Sequence, residues 1–349
     1  WRILLEDLET GYSQLSRREP LSLPSKTHSY QQWAYALKEY ASSPSFQKER
    51  PYWERIQESI CSLPIDFDNA LSTGEFTHTI EVFLTEAETT ELLHQVPKAY
   101  RTEINDILLT ALVLAVGDWT KTYALTLSLE GHGREDVVKP EIDLSRTVGW
   151  FTSIFPVHLT LETSDDLGEA IKTVKETLRK VPHKGIGYGI LTYLTDEAPH
   201  LSSQAEEGEV LNEVLNANVD SSINYLPNVI PSLSFNYLGQ WDNTLTPTGV
   251  FTFAKEFVGR SIAEKNVQSH LLEINSEVRQ GVLQLFWIYS SYHYKEGTIE
   301  KLASRFIERL QKLIQHCCRD ENFGYTPSDF DLALLTQDNL EVNFRNTHQ

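Results

Sequence analysis

At 349 residues and 39.9 kDa the chain is too long for one small core, so two lobes or two domains are the default expectation. Its 40% hydrophobic, 11% aromatic and 23% charged residues are those of a folded soluble protein, and it has no apolar run of membrane-spanning length. A net charge of -19 argues against nucleic acid as a partner, because phosphate binding needs basic surface and there is little to spare.

Three cysteines, Cys61, Cys317 and Cys318, are an odd number without metal-type spacing, which suits a reducing compartment. No targeting motif is visible, and the expected location is cytoplasmic. The sequence contains no methionine, for which it offers no reason.

In chain order, WRILLEDLETGYSQL predicts a helix with Trp1, Leu4, Leu5, Leu8, Tyr12 and Leu15 in a stripe. It has no N-cap before it, and the chain is expected to be a piece of a longer polypeptide. After the connector SRREPLSLPSKTHS come two helical patterns, YQQWAYALKEYAS and SFQKERPYWERIQESI, the second interrupted or begun by Pro51. THTIEVFL alternates as a strand, with Ile80, Val82 and Leu84 on one side. TEAETTELLHQV starts a helix with a capping box, Thr85 as N-cap and Glu88 three residues on. INDILLTALVLAVGDWT reads as an apolar helix, TYALTLSL and FPVHLTL as strands, and DDLGEAIKTVKETLRKV as a helix with Ile171, Val174, Leu178 and Val181 on one face. Residues 195 to 231 form a polar excursion. SLSFNYLG and VLQLFWIYS read as buried strands, and IEKLASRFIERLQKLIQHC as an amphipathic helix with Leu302, Phe306, Leu310, Leu313 and Cys317 inward. Because helices and strands alternate irregularly, the expected class is a mixed α/β sandwich rather than a doubly wound sheet.

The first predicted strand after the apolar helix runs into SLEGHGREDV, residues 128 to 137. Charge at the end of a buried strand must be paired, solvated or used. One reading is a salt-bridged turn in which Gly131 and Gly133 allow tight backbone and Arg134 pairs with a glutamate. The other is a functional site, and three further clusters give it company: DLSRTVGWFTSIFPV with Arg146 and Trp150 beside Gly149, PHKGIGYG, and SFNYLGQWD.

EGHGRE, RTVGWFTSIFP, KGIGYG and FNYLGQ, in this order, resemble the successive motifs of epimerization domains of nonribosomal peptide synthetases, members of the condensation-domain superfamily. WRILLEDLETGY resembles the helix that follows the superfamily's HHxxxDG motif, and TPSDF at 326 to 330 resembles the domain's usual ending. HHxxxDG itself is not in this sequence; by the resemblance it is expected just upstream of Trp1, so the family's catalytic histidine is absent and the N-terminal lobe incomplete.

The resemblance implies a two-lobed α/β (α+β) sandwich like chloramphenicol acetyltransferase. Residues 1–85 would be the remainder of the N-terminal lobe, 86–332 the C-terminal lobe and 333–349 a linker or tail. It implies inversion, L to D, of the α-carbon of an aminoacyl or peptidyl thioester, carried on the phosphopantetheine arm of a peptidyl carrier domain. No cofactor or metal would be bound directly, and the other partners would be adjacent synthetase domains.

Inversion needs a base on one face, an acid on the other and stabilisation of an enolate-like intermediate. The residue matching the family's catalytic carboxylate is Glu130, at a strand end where desolvation raises a carboxyl pKa. Tyr237 either offers a phenol to the thioester oxygen, shapes the tunnel, or is a core tyrosine, and Asn236 offers an amide to the same oxygen. His132, in its G-H-G turn, is expected to hold the loop rather than donate the proton. By the resemblance Arg146 would pair with the aspartate of HHxxxDG. Trp150 belongs with Arg146 in the second cluster, and Gly187 and Tyr188 lie in a tight turn near the carrier arm's tunnel. KGIGYG lacks the spacing of a nucleotide loop, and Cys317 falls on an apolar stripe, so core packing outweighs a metal reading of HCC. The rivals are a condensation domain, which forms peptide bonds, and a noncatalytic carrier-docking fragment.

Overall fold

The computed structural model describes residues 1–69, 73–135, 138–195, 230–240 and 263–330, with the isolated positions 251, 256, 259 and 337. The expected polar excursion at 195 to 231 and the tail from 333 lie almost wholly outside the described residues.

Three helices open the chain: α1 (Arg2–Ser16), α2 (Tyr30–Ala41) and α3 (Pro44–Glu58). α2 starts with a capping box between Ser29 and Gln32. α3 is neither begun nor broken by Pro51. Ser43 caps it by accepting from the Phe46 amide, Pro44 takes the first turn, and the helix runs through Pro51, where the exposed Gln47 carbonyl it leaves unpaired can meet water. The stripe on α1 does not bury: Trp1, Leu4, Leu8, Tyr12 and Leu15 are all exposed, and only Gly11 of that helix is inside.

A single mixed sheet forms the body. Its strands are β1 (Thr77–Phe83), β2 (Ala124–Gly131), β3 (Ser153–Thr160), β4 (Leu233–Gln240), β5 (Leu272–Arg279) and β6 (Val282–Ser290), in the spatial order β1-β6-β5-β4-β2-β3. β2, β4 and β5 run parallel, and the other neighbouring pairs are antiparallel. β1 is hydrogen-bonded to β6 along its length. The division expected at residue 85 therefore cuts between a strand of this sheet and its next helix, and does not coincide with a break in the sheet.

Alternation gives the sheet two unlike faces. Leu125, Leu127 and Leu129 of β2, Phe155, Val157 and Leu159 of β3, Leu272, Ile274 and Val278 of β5, and Leu283, Leu285 and Trp287 of β6 are all buried on one face. Helices α4 (Glu86–His94), α5 (Val96–Tyr100), α6 (Ile104–Thr120), α7 (Leu167–Arg179) and α9 (Glu296–Cys317) share that core. α6 is buried all round from Asp106 to Gly117, as its apolar sequence requires. Each fully buried Leu or Phe contributes about 1.5–3 kcal/mol relative to exposure, so this face dominates stability. The expected inward stripe of α9 is buried, Cys317 included, and burial pushes that thiol up to about 12. No helix among the described residues is long and apolar enough to cross a membrane.

Candidate functional site

The other face of β2 carries Thr126, Ser128 and Glu130, each tied to a polar partner. Thr126 Oγ1 lies 2.8 Å from His158 Nδ1, and Ser128 Oγ lies 3.0 Å from His270 Nε2. At the strand's end Asn236 Nδ2 donates to Glu130 Oε2 at 2.7 Å. Backbone register explains the last contact: Ser128 is opposite Ser234 and Leu129 opposite Phe235, so the next step along both parallel strands brings Glu130 to Asn236. Two expected site residues, 106 positions apart, are thus joined by strand pairing.

Glu130 is half-buried, and burial holds its carboxyl above the ordinary carboxylate range. The Asn236 amide favours the ionised form, but as a neutral donor it does not offset that desolvation. His270 is pulled down to about 4 by burial, so it is neutral at pH 7 and supplies no counter-charge.

Tyr237 does not join this pair. It follows Asn236, so the pleat turns it to the face of its partner Ser276, which is fully buried, and it packs against the helix-covered core. Burial pushes its phenol up to about 12. The expected convergence of Tyr237 and Asn236 on one oxygen is divided between the two faces of β4.

Beyond Glu130 the chain turns sharply. Gly133 has φ +65°, and a Cβ there would stand 1.6 Å from the Phe151 carbonyl oxygen, so only glycine fits both the backbone and the space. His132 holds this turn: its Nδ1 accepts from the Arg134 amide at 3.0 Å, and its Nε2 lies 3.3 Å from Glu135. Arg134 is not paired with a glutamate. It donates to the carbonyls of Leu144 and Thr147 and lies 3.9 Å over the Phe151 ring, clamping the turn to the second cluster.

In that cluster Arg146 is paired with Glu6, at 3.1 Å, and with Asp7, both on α1. Its ion pairs therefore fasten the opening helix to the loop after β2. Trp150 lends its carbonyl to the Tyr30 hydroxyl, while its ring is 85% exposed and touches nothing near Glu130.

KGIGYG is a turn followed by a short helix, rather than a turn alone. His183, Lys184 and Gly185 are all left-handed, and α8 (Ile186–Tyr193) follows. The turn abuts the strand end, since a Cβ on Gly131 would stand 3.0 Å from the Lys184 carbonyl oxygen. Gly187 and Tyr188 face α3 instead. The Tyr188 hydroxyl accepts from Gln57 at 3.3 Å, and a Cβ on Gly187 would stand 2.5 Å from Glu49 Oε2 and 2.8 Å from Trp53 Nε1. Glu49 and Trp53 are buried and cannot swing away. Gly187→Ala should therefore lower stability by about 1–3 kcal/mol, whereas Gly189→Ala, with nothing within 4 Å of its Cβ, should be neutral or raise it by up to about 1 kcal/mol. Thermal unfolding of the two variants checks this; equal effects would remove the packing account.

Two polar residues of this face were not singled out from sequence. His270 and Glu273 lie at the start of β5, whose segment LEINSEVR alternates apolar with polar residues at strand period. That alternation was the available signal; which carboxyl they would face was not.

The condensation-domain family model matches residues 1–336. A linear gramicidin synthase of Brevibacillus parabrevis is 40% identical over 341 residues, covering 97% of this chain and 4% of that protein. Surfactin synthase subunit 1 of Bacillus subtilis is 39% identical over 343 residues, covering 98% of this chain and 9% of that protein. The chain thus spans only a small part of the curated relatives it matches. Among solved structures, the epimerization domain from the third module of tyrocidine synthetase B is similar at 37% identity and a TM-score of 0.77, over 91% of this chain and 66% of that one. The first condensation domain of the CDA synthetase shares the fold at 15% identity and a TM-score of 0.57, over 91% of this chain and 61% of that one. With a mixed sheet, helices on its apolar face and a family match along nearly its whole length, the chain belongs to the condensation-domain family of nonribosomal peptide synthetases.

Proposed function

We propose that the chain epimerizes the α-carbon of an aminoacyl or peptidyl thioester presented on the phosphopantetheine arm of a carrier domain. The observation that carries this reading is the Glu130–Asn236 pair: EGHGRE and FNYLGQ meet at one half-buried carboxyl with no cation beside it among the described residues. A carboxyl whose affinity for protons is raised by burial is suited to taking a weakly acidic α-proton. In this reading the Glu130 carboxylate accepts that proton, and the C–H electron pair moves into the enolate of the thioester. Asn236 holds the carboxyl in one orientation, which lowers the cost of aligning it at each turnover. The likeness to a solved epimerization domain at 37% identity supports the same branch, whereas likenesses near 15% speak only for the fold. The proton returned to the opposite face comes, by the family resemblance, from the histidine of HHxxxDG, a motif this sequence does not contain, so the test uses the full-length protein.

That protein, given a carrier loaded with an L-aminoacyl or L-peptidyl thioester in deuterated water, should yield a mixture of L and D forms carrying deuterium at the α-carbon. Chirality and deuterium are read together after release from the arm. Amide formation with a second loaded carrier, without deuterium uptake, would place the chain with peptide-bond-forming members of the family.

A further inference from the structure

The polar face of the sheet carries a second carboxyl that this chemistry leaves unused. Backbone pairing sets Thr79, Ile288, Glu273, Ser234 and Ser128 in one row across β1, β6, β5, β4 and β2. The next row runs through Glu81, Phe286, Asn275 and Asn236 and ends at Glu130. Glu273 and Glu130 therefore stand two strands and one pleat repeat apart, about 10 Å across and about 7 Å along, before their side chains lean together. The residue between them on β4 is Ser234, too small to separate them.

Both are half-buried, and after burial itself the field of the Glu130 carboxylate is what raises the Glu273 carboxyl. Among the described residues Glu273 makes no hydrogen bond or ion pair. The other groups on this face do not neutralise the pair. His270, above Ser128, is neutral at pH 7; Asn236, Asn275 and Gln284 are uncharged; Glu277 on β5 and Glu81 on β1 are themselves acidic.

We propose that Glu273 is a positioning residue for Glu130: the two carboxyls hold one proton between them, and Glu273 keeps it while Glu130 is the ionised base. The role rests on the epimerization reading above; the shared proton does not. Two like charges in one desolvated site cannot both ionise freely, so the protons leave in two separated steps that belong to the pair. Glu130 ionises in the first. The α-proton then passes from carbon to Glu130, and Glu273 retains its own proton throughout, so the charge of the pair goes from one negative to none. When Glu273 also ionises at higher pH, its field makes Glu130 a stronger base.

The test has two independent arms. In the first, Glu273→Gln is made in the wild-type chain and in Glu130→Gln, and thermal unfolding is followed from acid to pH 8. The gain in Tm from Glu273→Gln should be larger when Glu130 is present, and the excess should vanish in acid, where both carboxyls are protonated. Equal gains in the two backgrounds at pH 8 would overturn the proposal, since the carboxyls would then not interact. In the second arm, α-deuterium uptake by the full-length protein is followed against pH. Wild type should rise in two steps and Glu273→Gln in one, with an alkaline rate several-fold lower. A uniform fall with an unchanged profile would mean that Glu273 is merely structural, and would overturn the proposal too. Coupling in the first arm with no deuterium uptake by wild type in the second would remove the role through the epimerization reading, leaving the shared proton standing.

Discussion

Replacing Glu130 by glutamine should abolish α-proton exchange, by about 10²–10⁴-fold, and should raise thermal stability at neutral pH. The two effects have one cause. Burial holds the folded-state pKa of Glu130 above its ordinary value, so ionising the group costs folding free energy. For a group raised in this way, stability is fully present below the unfolded pKa and is lost as pH rises through the folded pKa. Glutamine cannot ionise, so its advantage in Tm should appear as pH climbs past that range and disappear in acid. It keeps the shape of the side chain and an oxygen that can accept from Asn236 Nδ2, so a loss of exchange cannot be assigned to a collapsed strand end. Exchange lost without any gain in Tm at pH 8 would show that Glu130 is not a desolvated base. Exchange retained within a few-fold would remove it from proton transfer altogether.

Much of this was legible from local patterns, and what was not depended on partners far away in sequence. The capping box at Thr85 and Glu88 and the apolar stripe of α9 are written in spacings of three and four residues, and both form as expected. The stripe on α1 follows the same rule yet lies exposed, because periodicity says that a face is apolar without saying what covers it. Pro51 was read as a breaker because it lacks an amide hydrogen, but Ser43 and Pro44 start α3 well before it and the lost bond falls on an exposed turn.

At the site, the charged end of β2 was readable as a place where charge must be paired or used. Its use depends on strand pairing. Parallel register brings Asn236 to Glu130, and the pleat sends Tyr237 away. The same pairing delivers Glu273 from a strand that sequence reading passed over. Arg134 looked like half of an ion pair, but carbonyls of the 144–147 loop and the Phe151 ring satisfy it, a choice made by the fold of a segment ten residues on.

The largest loss of stability is expected from Lys175→Met. Lys175 lies on α7 and is 1% exposed, yet it carries a full charge into the core side of the sheet. It is tolerated because its ammonium donates to the Tyr100 carbonyl at 2.8 Å and to Asp329 Oδ1 at 2.7 Å. Asp329 belongs to TPSDF, where its other oxygen accepts from the Thr326 amide at 2.8 Å, closing the turn that docks the segment onto α7. Methionine fills similar volume but leaves Asp329 buried and uncompensated, which costs about 3–5 kcal/mol. For a body of this size that is a fall in Tm on the order of 10 °C. Adding Asp329→Asn should recover part of the loss, because the uncompensated charge rather than the missing contact is the main cost, and asparagine can still accept from the Thr326 amide. If the double variant is no more stable than Lys175→Met, the penalty lies in packing and the buried pair is not what fastens TPSDF. Since α7 also packs on β3 and α6, an intact pair supports the sheet edge next to β2, but it does not touch Glu130. Below the lowered Tm, Lys175→Met should therefore keep its rate of α-proton exchange, separating a loss of fold from a loss of chemistry.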